Sequence, residues 1–216
     1  FSSGNHGQAV ALVSKLHHAP AIIVTPNDVA PSKLTAMRGY GAEIVTYDRL
    51  KEDRVAIGNR LAAERGMTVV PPYDHPHVMA GQGTLALEWL QAVPDLDALV
   101  IPVGGGGLIA GCTIAAKGIN PNIRVFGVET EGADDTKLSL LKGERVAVPP
   151  PSTIADGIRT PMPGELTFPI VQALVEDVAV VSDAATLEAM RFLIWRMKLV
   201  TEPTGAITLA ALLNGL

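Results

Sequence analysis

Two stretches of the sequence set glycines directly against the start of a helical segment, and both have the makings of an anion-binding site. In "IPVGGGGLIAG", Gly104, Gly105, Gly106 and Gly107 follow an apolar strand-like run and lead into Leu108. Without side chains the backbone can curl until several N–H groups converge, and the helix behind adds its positive end, so phosphate is the natural guest. A tight strand-to-helix turn would need only one such glycine. In "FSSGNHGQAVAL", Ser2, Ser3, Asn5, His6 and Gln8 crowd a second helix start. There the helix dipole favours a carboxylate or phosphate, while hydroxyls and amides give it direction. Ser and Asn are also ordinary helix caps, so residue types alone leave both readings open.

Further polar groups need weighing. "VETEGADD" puts Glu129 at a strand end and Asp135 six residues on. From spacing alone this is an acidic loop that caps the next helix through Asp134 or Asp135. His75 and His77 lie in a Pro-rich connection with no third ligand nearby in sequence, and read as surface or loop histidines. Cys112, the single cysteine, sits in "LIAGCTIAA" and reads as packing. The seven lysines, at 15, 33, 51, 117, 137, 142 and 198, all read as solvent-facing.

Short β-branched runs alternating with longer amphipathic ones must position these groups, a pattern that predicts an α/β fold of parallel sheets covered by helices. Strands are expected at 21–24, 42–47, 97–103, 123–129 and 177–182, and helices at 7–17, 32–40, 51–66 and 108–118. Asp183 is expected to cap a last long helix whose Leu187, Met190, Ile194 and Met197 form a core stripe. Trp89 and Trp195 are expected in the core. The Pro-rich run 71–77 divides the chain into a small α/β domain, 1–73, and a larger one, 74–216.

Composition narrows the partners. A net charge of −5 without a basic block argues against nucleic acid, and no apolar run approaches the ~20 residues that span a bilayer. A small molecule is the expected partner, and one cysteine suits a reducing cytoplasm.

Seven fragments, "SSGNHGQA", "KLTAMRGYGAEIV", "HPHVMAGQGTLALE", "VGGGGLIAG", "VETEGADD", "TIADGIRT" and "TEPTGA", occur in this order. Together they resemble the serine/threonine dehydratase and serine racemase family over essentially the whole chain. That family comprises fold-type II pyridoxal-phosphate enzymes, with a tryptophan synthase β-like fold. The resemblance implies that Gly104 to Gly107 and the Leu108 amide hold the cofactor phosphate, with Asn5 donating to the phenolate oxygen of the pyridoxal ring. Gly157 and Glu202 would lie beside the cofactor. Ser2, Ser3, Asn5 and His6 would bind the substrate carboxylate, and Ser3 matches the proton-exchanging position of the racemases.

Glu129 and Asp135, with the Ala133 carbonyl, match a divalent-cation site suited to Mg²⁺, Ca²⁺ or Mn²⁺. L-Serine, L-threonine or 3-hydroxyaspartate would be the substrate, in a homodimer or homotetramer. A β-replacement synthase of the same fold and a non-catalytic phosphate-binding module are the alternatives. The family's cofactor-bonding lysine stands in a Ser-Phe-Lys motif upstream of the opening loop, and none of the seven lysines matches it. The sequence is therefore expected to be an internal portion of its enzyme, inactive alone.

Overall fold

The computed structural model describes residues 1–2 and 4–216, in two compact units, Phe1–Pro72 and Tyr73–Leu216. The first unit runs α1 (Asn5–Leu16), β1 (Ile22–Pro26), α2 (Pro31–Gly39), β2 (Glu43–Tyr47) and α3 (Arg54–Arg65). Its strands pair in parallel, Ile23 opposite Ile44. Ala11, Ile23, Met37 and Ala42 are buried together between this sheet and the helices. Helix α3 begins three residues later than the pattern predicts. Asp48 first closes a turn, its carboxylate accepting from the Leu50 N–H at 2.9 Å, and Asp53 then caps the helix by accepting from the Val55 N–H at 2.8 Å. Gly66, in the left-handed region at φ 63°, ends it.

The second unit holds α4 (Pro76–Ala92), β3 (Ala98–Pro102), α5 (Gly107–Ile119), β4 (Arg124–Thr130) and α6 (Asp135–Lys142). A 3₁₀ turn (Asp156–Ile158), α7 (Thr167–Leu174), β5 (Asp177–Val181), α8 (Asp183–Phe192), a π-helical turn (Leu193–Met197) and α9 (Pro203–Leu213) follow. The strands form a parallel sheet in the order β3-β4-β5. Strand alternation divides its side chains between two layers. Leu99, Ile101 and Val125 pack with Ala86, Ile109, Cys112 and Val171 of α4, α5 and α7. On the other face Val128 and Val181 pack with Ala189, Ala206 and Ile207 of α8 and α9. Helices cover both faces, which is why these strands read as nearly continuous apolar runs.

Glycines let helices α4 and α5 approach closely. A methyl group at Gly83 would stand 2.8 Å from the Gly111 carbonyl oxygen, and one at Gly111 would run into the Met79 carbonyl.

Several expectations are corrected. Ser182, not Asp183, caps α8, accepting from the Ala185 N–H at 3.1 Å. Asp183 instead binds the Thr153 hydroxyl and the Ile154 N–H. The helix does not run on as one stripe: beyond Phe192 the π turn widens it, and Leu187, Ile194 and Met197 are exposed, while Met190 alone of the four packs against the core. Trp89 and Trp195 are exposed as well, Trp195 at 67%. Lys33, Lys117 and Lys137 are half-buried rather than solvent-facing, and the Lys137 ammonium pairs with Asp177 at 2.6 Å.

Candidate active site

The glycine run lies at the carboxyl end of β3, the edge where open α/β sheets bind their ligands. The Val103 N–H, donating to the Val128 carbonyl at 2.9 Å, carries the ladder one residue past the strand before the chain turns. Gly106, at φ 89°, is the N-cap of the 13-residue α5, and no side chain among the described residues caps that helix; the first-turn N–H groups of a helix point out of its N-terminal end. This arrangement can hold a phosphate.

The neighbours of the four glycines leave no room for side chains there. A methyl group at Gly104 would stand 3.1 Å from the Ile158 Cα, and one at Gly106 would stand 2.7 Å from the Thr167 hydroxyl. One at Gly107 would stand 2.8 Å from the Tyr73 Cβ, and one at Gly105 would run into the Tyr73 ring. The run is thus required by close packing inside the unit as well as by any guest.

Three segments fix the loop. Thr167 Oγ1 donates to the Gly105 carbonyl at 2.6 Å, and the Gly164 N–H reaches the same oxygen at 3.2 Å. The Asp74 carboxylate receives the N–H groups of Glu165 at 2.9 Å, Leu166 at 2.9 Å and Thr167 at 3.3 Å, at the start of α7. On the other side the 3₁₀ turn places Gly157 against Gly104. Thr204 Oγ1 accepts from the Gly157 N–H at 2.9 Å. Glu202, the N-cap of α9, stands two residues before Thr204. Gly104 to Leu108, Gly157 and Glu202 thus belong to segments that the fold brings together at one sheet edge. Tyr73, Asp74, Thr167 and Thr204, which support them, were not singled out by sequence reasoning. Thr204 at least lay inside the quoted "TEPTGA".

At the end of β4, Glu129 and Asp135 are both fully buried. Glu129 caps α6 from outside, accepting from the Thr136 N–H at 3.0 Å and the Lys137 N–H at 2.8 Å, so the capping carboxylate is neither Asp134 nor Asp135. Neither carboxylate oxygen of Asp135 has a hydrogen-bond partner among the described residues. Loss of hydration pushes the Glu129 carboxyl up to about 8 and that of Asp135 up to about 7. No cluster of three or more His, Cys, Asp or Glu stands among the described residues, so a cation here would need backbone oxygen as well.

In the first unit, the Ser2 N–H donates to the Val24 carbonyl at 2.9 Å, and the Ser2 hydroxyl accepts from the Gly4 N–H at 3.2 Å. Ser2 is buried and holds the loop against β1. Asn5 is exposed at the first position of α1, behind the N-cap Gly4. His6 Nε2 lies 3.2 Å from the Val70 carbonyl oxygen, which can only accept, so Nε2 carries the proton. Partial burial lowers the His6 pKa, leaving a neutral ring at pH 7. Ser2 and His6 also line a cavity of about 130 Å³ within this unit, with Val10, Val24, Leu61 and Val70. Ser3 lies outside the described residues.

The family model described as pyridoxal-phosphate dependent enzyme matches residues 1–216, the whole chain. The chain belongs to the pyridoxal-phosphate-dependent enzyme family. It is 49% identical over 214 residues to the L-threo-3-hydroxyaspartate ammonia-lyase of a Pseudomonas species, covering 99% of this chain and 67% of that protein. It is 46% identical over 211 residues to the serine racemase of Schizosaccharomyces pombe, covering 98% and 65%. Among solved structures, the T.th. threonine deaminase superposes with a TM-score of 0.94 at 44% identity, covering 99% of this chain and 70% of that one. The chain spans about two thirds of the length of these relatives. Its fold is that of the fold-type II members of the family, as the seven sequence fragments imply.

Proposed function

We propose that the protein is a pyridoxal-phosphate-dependent ammonia-lyase acting on a small β-hydroxy amino acid, L-serine, L-threonine or 3-hydroxyaspartate. It converts the substrate to ammonia and a 2-oxo acid, and interconverts the serine enantiomers from the same deprotonated carbon. The observation that carries this reading is the glycine-only entrance to α5 at the carboxyl edge of the sheet, which no side chain among the described residues caps. The names of the relatives supply the substrate class.

The residues present fit the cofactor. Gly104 to Gly107 and the Leu108 amide offer N–H donors to a phosphate, Gly157 and Glu202 stand at the same edge, and Asn5 is the donor assigned to the phenolate oxygen. The cofactor, when bound, draws the negative charge that develops at the substrate Cα into its ring. The protein's own task is to orient the Cα–H bond and exclude water. The opening loop binds the substrate carboxylate through its backbone N–H groups and the Ser3 hydroxyl, with Ser2 and the neutral His6 ring fixing the shape of that loop. Ser3 exchanges the proton on one face of Cα, which racemisation requires and deamination does not. Net deamination removes the Cα proton and the β-hydroxyl as water. Hydrolysis of the resulting enamine returns that water and frees ammonia.

Glu129, Asp135 and the Ala133 carbonyl belong to a structural site for Mg²⁺, Ca²⁺ or Mn²⁺, a role that fits the Asp135 oxygens, which have no hydrogen-bond partner among the described residues. The complete protein is a homodimer or homotetramer in the cytoplasm.

Incubation of the complete gene product and pyridoxal phosphate with each hydroxy amino acid, followed by 2-oxo acid, ammonia and chiral amino-acid analysis, tests this reading. Release of 2-oxo acid and ammonia in equal amounts is expected. Cysteine from O-acetylserine and sulfide, without deamination, would identify a β-replacement synthase instead.

A further inference from the structure

We propose that Asp74 is a positioning residue for the glycine loop, setting through α7 the direction in which the Gly105–Gly106 peptide presents its N–H to the bound phosphate. This inference rests on the reading of that loop as the phosphate site. Helix α7 has no cap of its own, since its N-cap is Leu166. The Asp74 carboxylate, 91 to 93 residues earlier in the chain, receives the N–H groups of Glu165 and Leu166, just before the helix, and of Thr167, its first residue. Those three bonds hold the segment that carries Thr167. The Thr167 hydroxyl then grips the Gly105 carbonyl at 2.6 Å, and the Gly164 N–H grips the same oxygen.

A trans peptide is planar, with its C=O and N–H pointing to opposite sides. Pinning the Gly105 oxygen toward α7 therefore turns the Gly106 N–H away from α7. Gly106, at φ 89° and with no room for a methyl group beside Thr167, keeps the next peptide in register. Tyr73, the residue before Asp74, packs its ring on Gly105, so one dipeptide braces the loop by contact and by charge. A negative charge committed to three amide donors here, instead of a short neutral cap, makes the brace stiff.

The test compares binding of pyridoxal phosphate and of pyridoxal, which lacks the phosphate, to the complete gene product and its Asp74→Ala, Thr167→Val and Gly106→Ala variants. Melting temperature and the ³¹P resonance of the bound cofactor are recorded alongside. Supporting groups one step behind a ligand contact set affinity by about 10- to 100-fold around metal sites, and a loss of that order for the phosphorylated form is expected in Asp74→Ala. Thr167→Val should lose less, pyridoxal binding should not change in either, and the ³¹P resonance should move in both. Equal losses for both ligands, or wild-type affinity in a folded Asp74→Ala, would overturn the proposal. Should Asp74→Ala fail to fold, Thr167→Val decides, and an unchanged phosphate preference there overturns it equally. Gly106→Ala separates the two levels. If it abolishes the preference while the other variants do not, only the role of Asp74 is lost. If it too leaves the preference intact, the loop does not hold the phosphate.

Discussion

Asp135 keeps two carboxylate oxygens in the interior without a hydrogen-bond partner among the described residues, an arrangement that costs free energy unless a proton or a cation meets it. Millimolar Ca²⁺ or Mg²⁺ is therefore expected to raise the melting temperature at pH 8, and Asp135→Asn to abolish the rise; differential scanning fluorimetry reads both. His6 gives a separate pH signature. Its folded pKa is depressed below 6.5, so between those values the unfolded chain binds more protons than the folded one. Stability is then lost as pH falls through that window. Urea midpoints at pH 5 and pH 7.5 should differ more in the parent than in His6→Gln. Burial pushes the Cys112 thiol up to about 11, and the native protein should resist iodoacetamide at pH 8 until it is unfolded. That last behaviour was legible in the sequence, since a small thiol in an apolar helix reads as packing. The partner of Asp74 was not, because no local pattern connects a residue in a Pro-rich run to a helix start 91 to 93 positions away.

Elements were read well where local chemistry decides them. Strand β3, the glycine turn and α5 follow from a β-branched run, four glycines and an apolar helical stretch, and the structure has them in that order. Where a longer pattern decided, reading failed. Leu187, Ile194 and Met197 share a helical face, yet periodicity states only that a face is apolar and not what covers it, and the π turn breaks the repeat after Phe192. The close crossing of α4 and α5 was equally silent, because Gly83 and Gly111 carry no side chain to signal a contact. It makes a sharp prediction. Gly111→Ala pits a methyl group against the backbone of α4, which cannot step aside, and should cost about 1–3 kcal/mol or more by urea denaturation. Gly118→Ala, with open space around it in the same helix, should be neutral or mildly stabilising.

Taken whole, the chain joins a unit that carries a polar helix entrance to a unit that carries a glycine helix entrance, and it belongs to the pyridoxal-phosphate-dependent enzyme family. Under the proposed function, a phosphorylated pyridoxal cofactor held at Gly104 to Leu108 drives deamination of a β-hydroxy amino acid. The most direct test is reconstitution of the complete gene product. Resolve the protein of cofactor, then assay 2-oxo acid release from L-threo-3-hydroxyaspartate, L-serine and L-threonine after adding back pyridoxal phosphate or pyridoxal. Release from at least one substrate that returns with pyridoxal phosphate and not with pyridoxal is the predicted result. No release from any of the three with the cofactor bound, or equal recovery with pyridoxal, would rule out this function for the glycine loop.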